Sequence, residues 1–229
     1  MKQADMTIEV TRLQVEQFNH AALTAMRQQW YSAAAQWRAD SSAIDETWQL
    51  LLTSYSRSER HYHGLQHIHQ LLTLAQQYQA HINGWPSFYF AIWFHDLIQQ
   101  AGADSEGLSA ELAREYLQRL QVPEQVIQGC EQLILATRHH HYQADTDVQL
   151  FVDLDLSILA VDRPRYQSYA HQCRQEYYVP DFVYRCGRKR FLRQLLARDA
   201  IFSSEIFHQY FEQSARNNLQ WELDEWLSR

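Results

Sequence analysis

The 229-residue chain contains little that favours β structure. Glycine (6) and proline (4) are scarce, which argues against the many tight turns of an all-β architecture and for long helices. Three cysteines, Cys130, Cys173 and Cys186, form no CxxC pair and are odd in number, so no disulfide framework is expected and a reducing compartment fits. The longest purely apolar run is the seven residues Phe88–Phe94, far short of a membrane span, and residues 1–10 lack the apolar core of a signal peptide. Positive charge is not in excess: the formal charge is −7, so no global field attracts nucleic acid or an anionic membrane. Alternation of period two, an internal repeat and a phosphate loop of the Walker type are also missing. The expectation is a cytoplasmic protein with no membrane association and no stable nucleic-acid complex; the sequence leaves its oligomeric state open.

Helical periodicity is abundant. Ile44, Trp48, Leu51, Leu52 and Tyr55 recur with helical spacing, as do Leu65, Ile68, Leu72 and Ala75, and then Val126, Cys130, Leu133 and Thr137. Residues 108–120 and 181–198 also read as helix. Breaks fall at Asn83-Gly84-Trp85-Pro86, at Ala101–Gly107 and at 142–147, and Pro123 opens a helix. No linker divides the chain. The reading is an all-α, single-domain helical bundle over 26–229, with residues 1–25 as a helical extension. Trp30, Trp37, Trp48 and Trp93 fall at core positions and read as packing rather than as a platform for bases.

Twelve histidines are unusual, and several stand beside carboxylates. His95-Asp96 ends the apolar run Phe88–Phe94, where ionisable groups are costly unless something compensates them. A divalent cation would, and imidazole and carboxylate both ligate Zn²⁺, Mn²⁺ or Fe²⁺. His63 and His67 are four apart and on a helix would share one face. Asp153 and Asp155 are embedded in Phe-Val-Asp-Leu-Asp-Leu-Ser and need a partner or a metal. Two residues apart, they project about 200° from each other on a helix and cannot both face one ion.

The order His, His-Asp, Asp on a helical background resembles the HD superfamily of metal-dependent phosphohydrolases. The resemblance is closest to its branch of predicted HD phosphohydrolases of unknown substrate. It runs through Arg60-His61-Tyr62-His63, Ala91–Asp96, Ser109-Ala110, Ala136-Thr137, Asp153–Leu156, Arg174-Gln175-Glu176-Tyr177 and Tyr184–Arg188, covering roughly residues 26–210. It implies an HD-domain bundle in which His67, His95, Asp96 and Asp155 hold one or two divalent ions (Mn, Mg, Fe, Ni, Co or Zn), with Asp96 bridging. His140, after the Ala-Thr pair, takes the position of a second-metal or substrate ligand; its neighbours in Arg138-His139-His140-His141 are weaker candidates.

Locally, Tyr62-His63-Gly64-Leu65-Gln66-His67 is similar to the Tyr-His-Asn-x-x-His motif of cyclic nucleotide phosphodiesterases, with Gly64 in place of Asn. That similarity implies His63 as the acid that protonates a leaving oxygen, a role suited to an imidazole titrating near neutrality. It also favours Asp155 over Asp153, because the matching Asp is followed by Leu-Ser. Arg60 and Arg188 are the guanidinium groups expected to meet phosphate; the other cations of 185–198 read as a solvated helix face.

The expected activity is hydrolysis of a phosphate ester of a nucleotide or small phosphorylated metabolite. Two alternatives stand beside it. One is a dinuclear-iron oxygenase, because some HD proteins use a similar cage for oxygen chemistry. The other is a non-catalytic, metal-containing ligand sensor.

Overall fold

A computed structural model describes residues 18–100, 104–138 and 144–227, and among these there is no β-strand. Ten α-helices follow in order: α1 His20–Ala35, α2 Ser41–Tyr55, α3 Leu65–Gln77, α4 Trp85–Phe94, α5 Ser105–Arg119, α6 Glu124–Ala136, α7 Thr146–Leu156, α8 Arg163–Glu176, α9 Asp181–Leu196 and α10 Glu205–Trp221. Helix α1 runs through residue 25 without a break, so the end of the expected extension is continuous with the bundle. No described helix is long and apolar enough to cross a membrane. The three cysteines are free, Cys186 exposed and the other two buried.

Local chemistry sets the boundaries. Asn19, Asp40, Asp104, Asp145 and Asp162 each accept a backbone N–H from the first turn that follows, capping α1, α2, α5, α7 and α8. Two expected loops are therefore shorter than composition suggested. Ser105–Gly107 form the first turn of α5 and Thr146-Asp147 that of α7, because an aspartate cap outweighs a nearby glycine or a polar run.

Helix α4 is the centre of the bundle. Phe88 to Phe94 are all buried, which explains why the segment shows no amphipathic stripe: a helix covered on every side is apolar on every side. It packs against α3, α5 and α6. Trp30 of α1 meets Phe90 and Trp93 edge-to-face at 5.9 and 5.8 Å, and Trp48 of α2 meets Trp93 at 5.6 Å. Burying aromatic side chains of this size dominates core energetics, and such contacts add about 0.5–1.5 kcal/mol each beyond burial.

Polar ties also register α4 against its neighbours. Asp147, at the start of α7, accepts the N–H groups of Asn83 and Gly84 at 2.9 and 2.7 Å, just before α4 begins. Tyr55, at the end of α2, donates its hydroxyl to the Trp93 carbonyl at 2.9 Å. Helices α3 and α7, which carry the remaining candidate ligands, also touch each other.

Candidate metal centre

His95 is the residue at which α4 ends. Its Nδ1 lies 3.0 Å from the Ile92 carbonyl, so Nδ1 carries a proton and Nε2 is the nitrogen turned to the cluster. Toward Nε2 come His67 Nε2 at 3.3 Å, Asp96 Oδ2 at 3.2 Å and Asp155 Oδ1 at 3.7 Å. His67 Nε2 is in turn 3.7 Å from Asp96 Oδ2 and 3.4 Å from Asp155 Oδ1. Helix α3 supplies His67, the turn after α4 supplies Asp96, and α7 supplies Asp155.

These residues fit a metal ion. His67, His95 and Asp96 alone bring three ligand atoms within 4.8 Å of one another. Ligands about 2.0–2.2 Å from an ion sit about 3.0–3.5 Å from each other, close to the spacings found. Two imidazole Nε2 atoms and two carboxylate oxygens form a mixed N/O donor set, and the Nδ1 bond of His95 is the outer contact that fixes a ligating imidazole. The imidazoles are buried, at 2% and 1% exposure, whereas Asp96 and Asp155 are 30% and 18% exposed. The centre therefore opens on its carboxylate side.

The electrostatics favour positive charge. Burial opposes protonation of His95, but Asp96 and Asp155 overcome it and raise its pKa well above the ordinary value. Burial would also raise the Asp96 carboxyl; His95 and His63 instead hold it well below the usual range. His67 is pulled down, chiefly by burial. A field that draws a proton onto His95 serves a cation equally well.

His63 is not on the helix with His67, as the four-residue spacing suggested. Helix α3 starts at Leu65 with Gly64 as its cap, and His63 precedes it. The reason is Glu176, whose Oε1 accepts the N–H groups of Tyr62 and His63 at 2.7 and 2.9 Å and holds the segment outside the helix. Gly64 passes close to other backbone: a Cβ there would lie 3.2 Å from the Tyr55 carbonyl oxygen and 3.4 Å from that of Arg60. Asparagine at this position would crowd two main-chain atoms. His63 still reaches the centre, its ring 5.8 Å from that of His67.

Glu176 and Gln99 are the functional groups that spacing did not reveal. Glu176 Oε2 lies 2.5 Å from His63 Nδ1, and Gln99 Nε2 is 3.1 Å from the same nitrogen. Glu176 was visible only as part of the Arg174–Tyr177 motif, and its partner is 113 residues away. Burial pulls the His63 pKa down, but Asp96 and the Glu176 hydrogen bond raise it above the ordinary value.

The two aspartates of α7 separate as helix geometry requires. Asp155 faces the imidazoles. Asp153 is fully buried and accepts Ser203 N at 2.9 Å, Ser204 N at 2.6 Å and Ser204 Oγ at 2.6 Å, anchoring the start of α10.

Both arginines expected at phosphate are engaged elsewhere. Arg60 donates to the carbonyls of His63, Asp96 and Leu97 at 2.9, 2.7 and 2.8 Å, clasping the turn that carries Asp96. Ser109 supports the same turn by accepting Ile98 N at 3.0 Å. Arg188 forms a two-point pair with buried Glu222 at 2.7 and 3.1 Å and lies over the Tyr169 ring at 5.2 Å. Tyr169 packs on Tyr62 at 4.6 Å, and Tyr62 on His67 at 5.0 Å, so Arg188 stands two rings behind the centre. His139, His140 and His141 lie outside the described residues.

Comparison of the chain with protein-family models, with curated proteins and with solved structures gives no match.

Proposed function

We propose that this chain is a metal-dependent phosphohydrolase that cleaves a phosphate ester of a nucleotide or other small phosphorylated metabolite. One observation carries the reading. The nitrogens of His67 and His95 and the oxygens of Asp96 and Asp155 converge at 3.2–3.7 Å, next to an imidazole, His63, that is held by a carboxylate. The resemblance to HD phosphohydrolases supports the same conclusion.

When bound, a divalent ion supplies Lewis-acid polarisation of a phosphoryl oxygen and a water ionised near neutral pH. His67, His95, Asp96 and Asp155 would hold it. The chain itself does three further things. Glu176 accepts from Nδ1 of His63, fixing the ring and leaving Nε2 as the nitrogen that presents a proton. The Glu176 hydrogen bond raises the His63 pKa and so favours the protonated ring that general acid catalysis of leaving-group departure requires. Three carboxylates at the site repel a phosphate dianion, so substrate binding itself depends on the cation.

The test is elemental analysis of protein purified without added metal, followed by a panel of phosphomonoesters and phosphodiesters with Mn²⁺, Mg²⁺, Ni²⁺, Co²⁺ and Fe²⁺. The expected result is release of phosphate or alcohol that chelator abolishes and one of these ions restores. Tight nucleotide binding with no turnover by metal-loaded protein would favour the sensor. A mixed-valent diiron signal in electron paramagnetic resonance would favour the oxygenase.

A further inference from the structure

A patch of aromatic surface lies where α8 ends, and its first residue, Tyr177, follows Glu176 directly. Tyr177 is 51% exposed. It is also held in place. Its inner side rests on buried Tyr184, with ring centroids 5.5 Å apart. Arg174 fixes the turn by donating to the Tyr177 and Val179 carbonyls at 2.8 and 3.1 Å, pairs with Asp181 at 3.2 Å, and covers the other ring of the stack, Tyr184, at 4.9 Å. The phenol is raised in pKa mainly by partial burial.

A rigid, half-exposed ring one residue beyond Glu176, the carboxylate that holds His63, is suited to stacking. Little conformational entropy is lost when a planar group settles on it, because the turn is already ordered. Tyr178 and Phe182, close by in the chain, are more exposed still, at 81% and 70%.

We propose that Tyr177 is a specificity residue whose free face stacks on a planar aromatic ring of the substrate, so that the preferred phosphate esters are those of nucleosides. This rests on the phosphohydrolase reading of the centre and narrows its substrate class. Arg60 turns N–H donors to three main-chain carbonyls and Arg188 is paired with Glu222, so the organic part of the molecule carries discrimination among phosphate esters.

The experiment compares two probes with the same phosphate, adenosine 5′-monophosphate and ribose 5-phosphate, binding to the Mn²⁺-loaded full chain by calorimetry. Wild type is expected to bind the nucleotide about tenfold more tightly, a typical contribution for one stacked base. Tyr177→Ala should abolish that preference while leaving ribose 5-phosphate affinity and metal content unchanged. Tyr177→Phe should retain it, and Phe182→Ala should not alter it. Equal affinity of wild type for both probes, binding of neither, or an equal loss for both in Tyr177→Ala overturns the proposal. So does a molecular mass of two chains that falls to one in Tyr177→Ala, because the patch would then be covered by a second copy. Phosphate release from both probes is followed separately. A Tyr177-dependent preference in binding without release would overturn the hydrolase reading and leave the stacking site in place.

Discussion

Glu176 grips His63 at two levels: its Oε2 lies 2.5 Å from the ring Nδ1, and its Oε1 accepts the His63 backbone N–H at 2.9 Å. One carboxylate thus fixes the main chain entering α3 and the orientation of the imidazole that faces the centre. Burial would raise the Glu176 pKa, yet the His63 ring and the N–H groups of His63 and Tyr62 lower it to about 2. A depressed carboxyl contributes stability above its unfolded pKa of 4.5 and loses it as pH falls toward 2. The raised His63 pKa acts in the opposite sense: its contribution is full below 6.5 and is lost as pH rises through the higher folded value. The stability difference between wild type and Glu176→Gln, measured by urea denaturation, should therefore be greatest between about pH 4.5 and 6.5 and shrink on both sides. A difference that is flat with pH would contradict the pairing.

His63→Ala should lower kcat by about 10²–10⁴-fold on esters with poor leaving groups while metal content stays at the wild-type level. The loss should be much smaller with p-nitrophenyl esters, whose leaving group departs without a proton. Equal losses for both classes would replace the acid role with a binding or structural one.

Asp153 and Asp155 should respond in opposite ways to the same change. Asp155→Asn is expected to weaken metal binding strongly and alter stability little. Asp153→Asn should keep its metal but lower stability by about 1–3 kcal/mol, because the buried hydrogen bonds to Ser203 and Ser204 are disturbed. Metal titration and thermal melting of both variants separate the two effects. Equal losses of metal affinity would remove Asp155 from the centre.

Arg60→Lys preserves charge but not the fork that reaches three carbonyls. It should lower stability by about 1–3 kcal/mol and loosen the metal, because the Asp96 turn is no longer clasped. Under saturating metal KM should stay near wild type. A KM rise with unaltered stability would return Arg60 to a phosphate-binding role.

The all-helical fold was legible because periodic apolar residues and scarce glycine and proline point the same way. His95 and Asp96 were legible as candidate ligands because ionisable groups ending the run Phe88–Phe94 demand compensation. The mutual exclusion of Asp153 and Asp155 followed from helix geometry alone. What stayed hidden was tertiary. Glu176 meets His63 across 113 residues, and no local pattern announces that pair. The same Glu176 overrides the local spacing that placed His63 on α3. Arg60 and Arg188 read as phosphate ligands because a guanidinium's charge is visible in sequence, whereas the carbonyls and the buried Glu222 that take up part of their hydrogen bonding are not.

The most direct measurement is the metal content of wild type and of Asp96→Ala after equilibration with Mn²⁺ and removal of free ion, read by elemental analysis alongside circular dichroism. Asp96 is the candidate ligand in the turn that Arg60 and Ser109 support from outside, so its removal should leave the helices intact. The account predicts stoichiometric metal in wild type and none in Asp96→Ala at nearly unchanged helix content. Stoichiometric metal retained by Asp96→Ala, or wild type that takes up none, would contradict it.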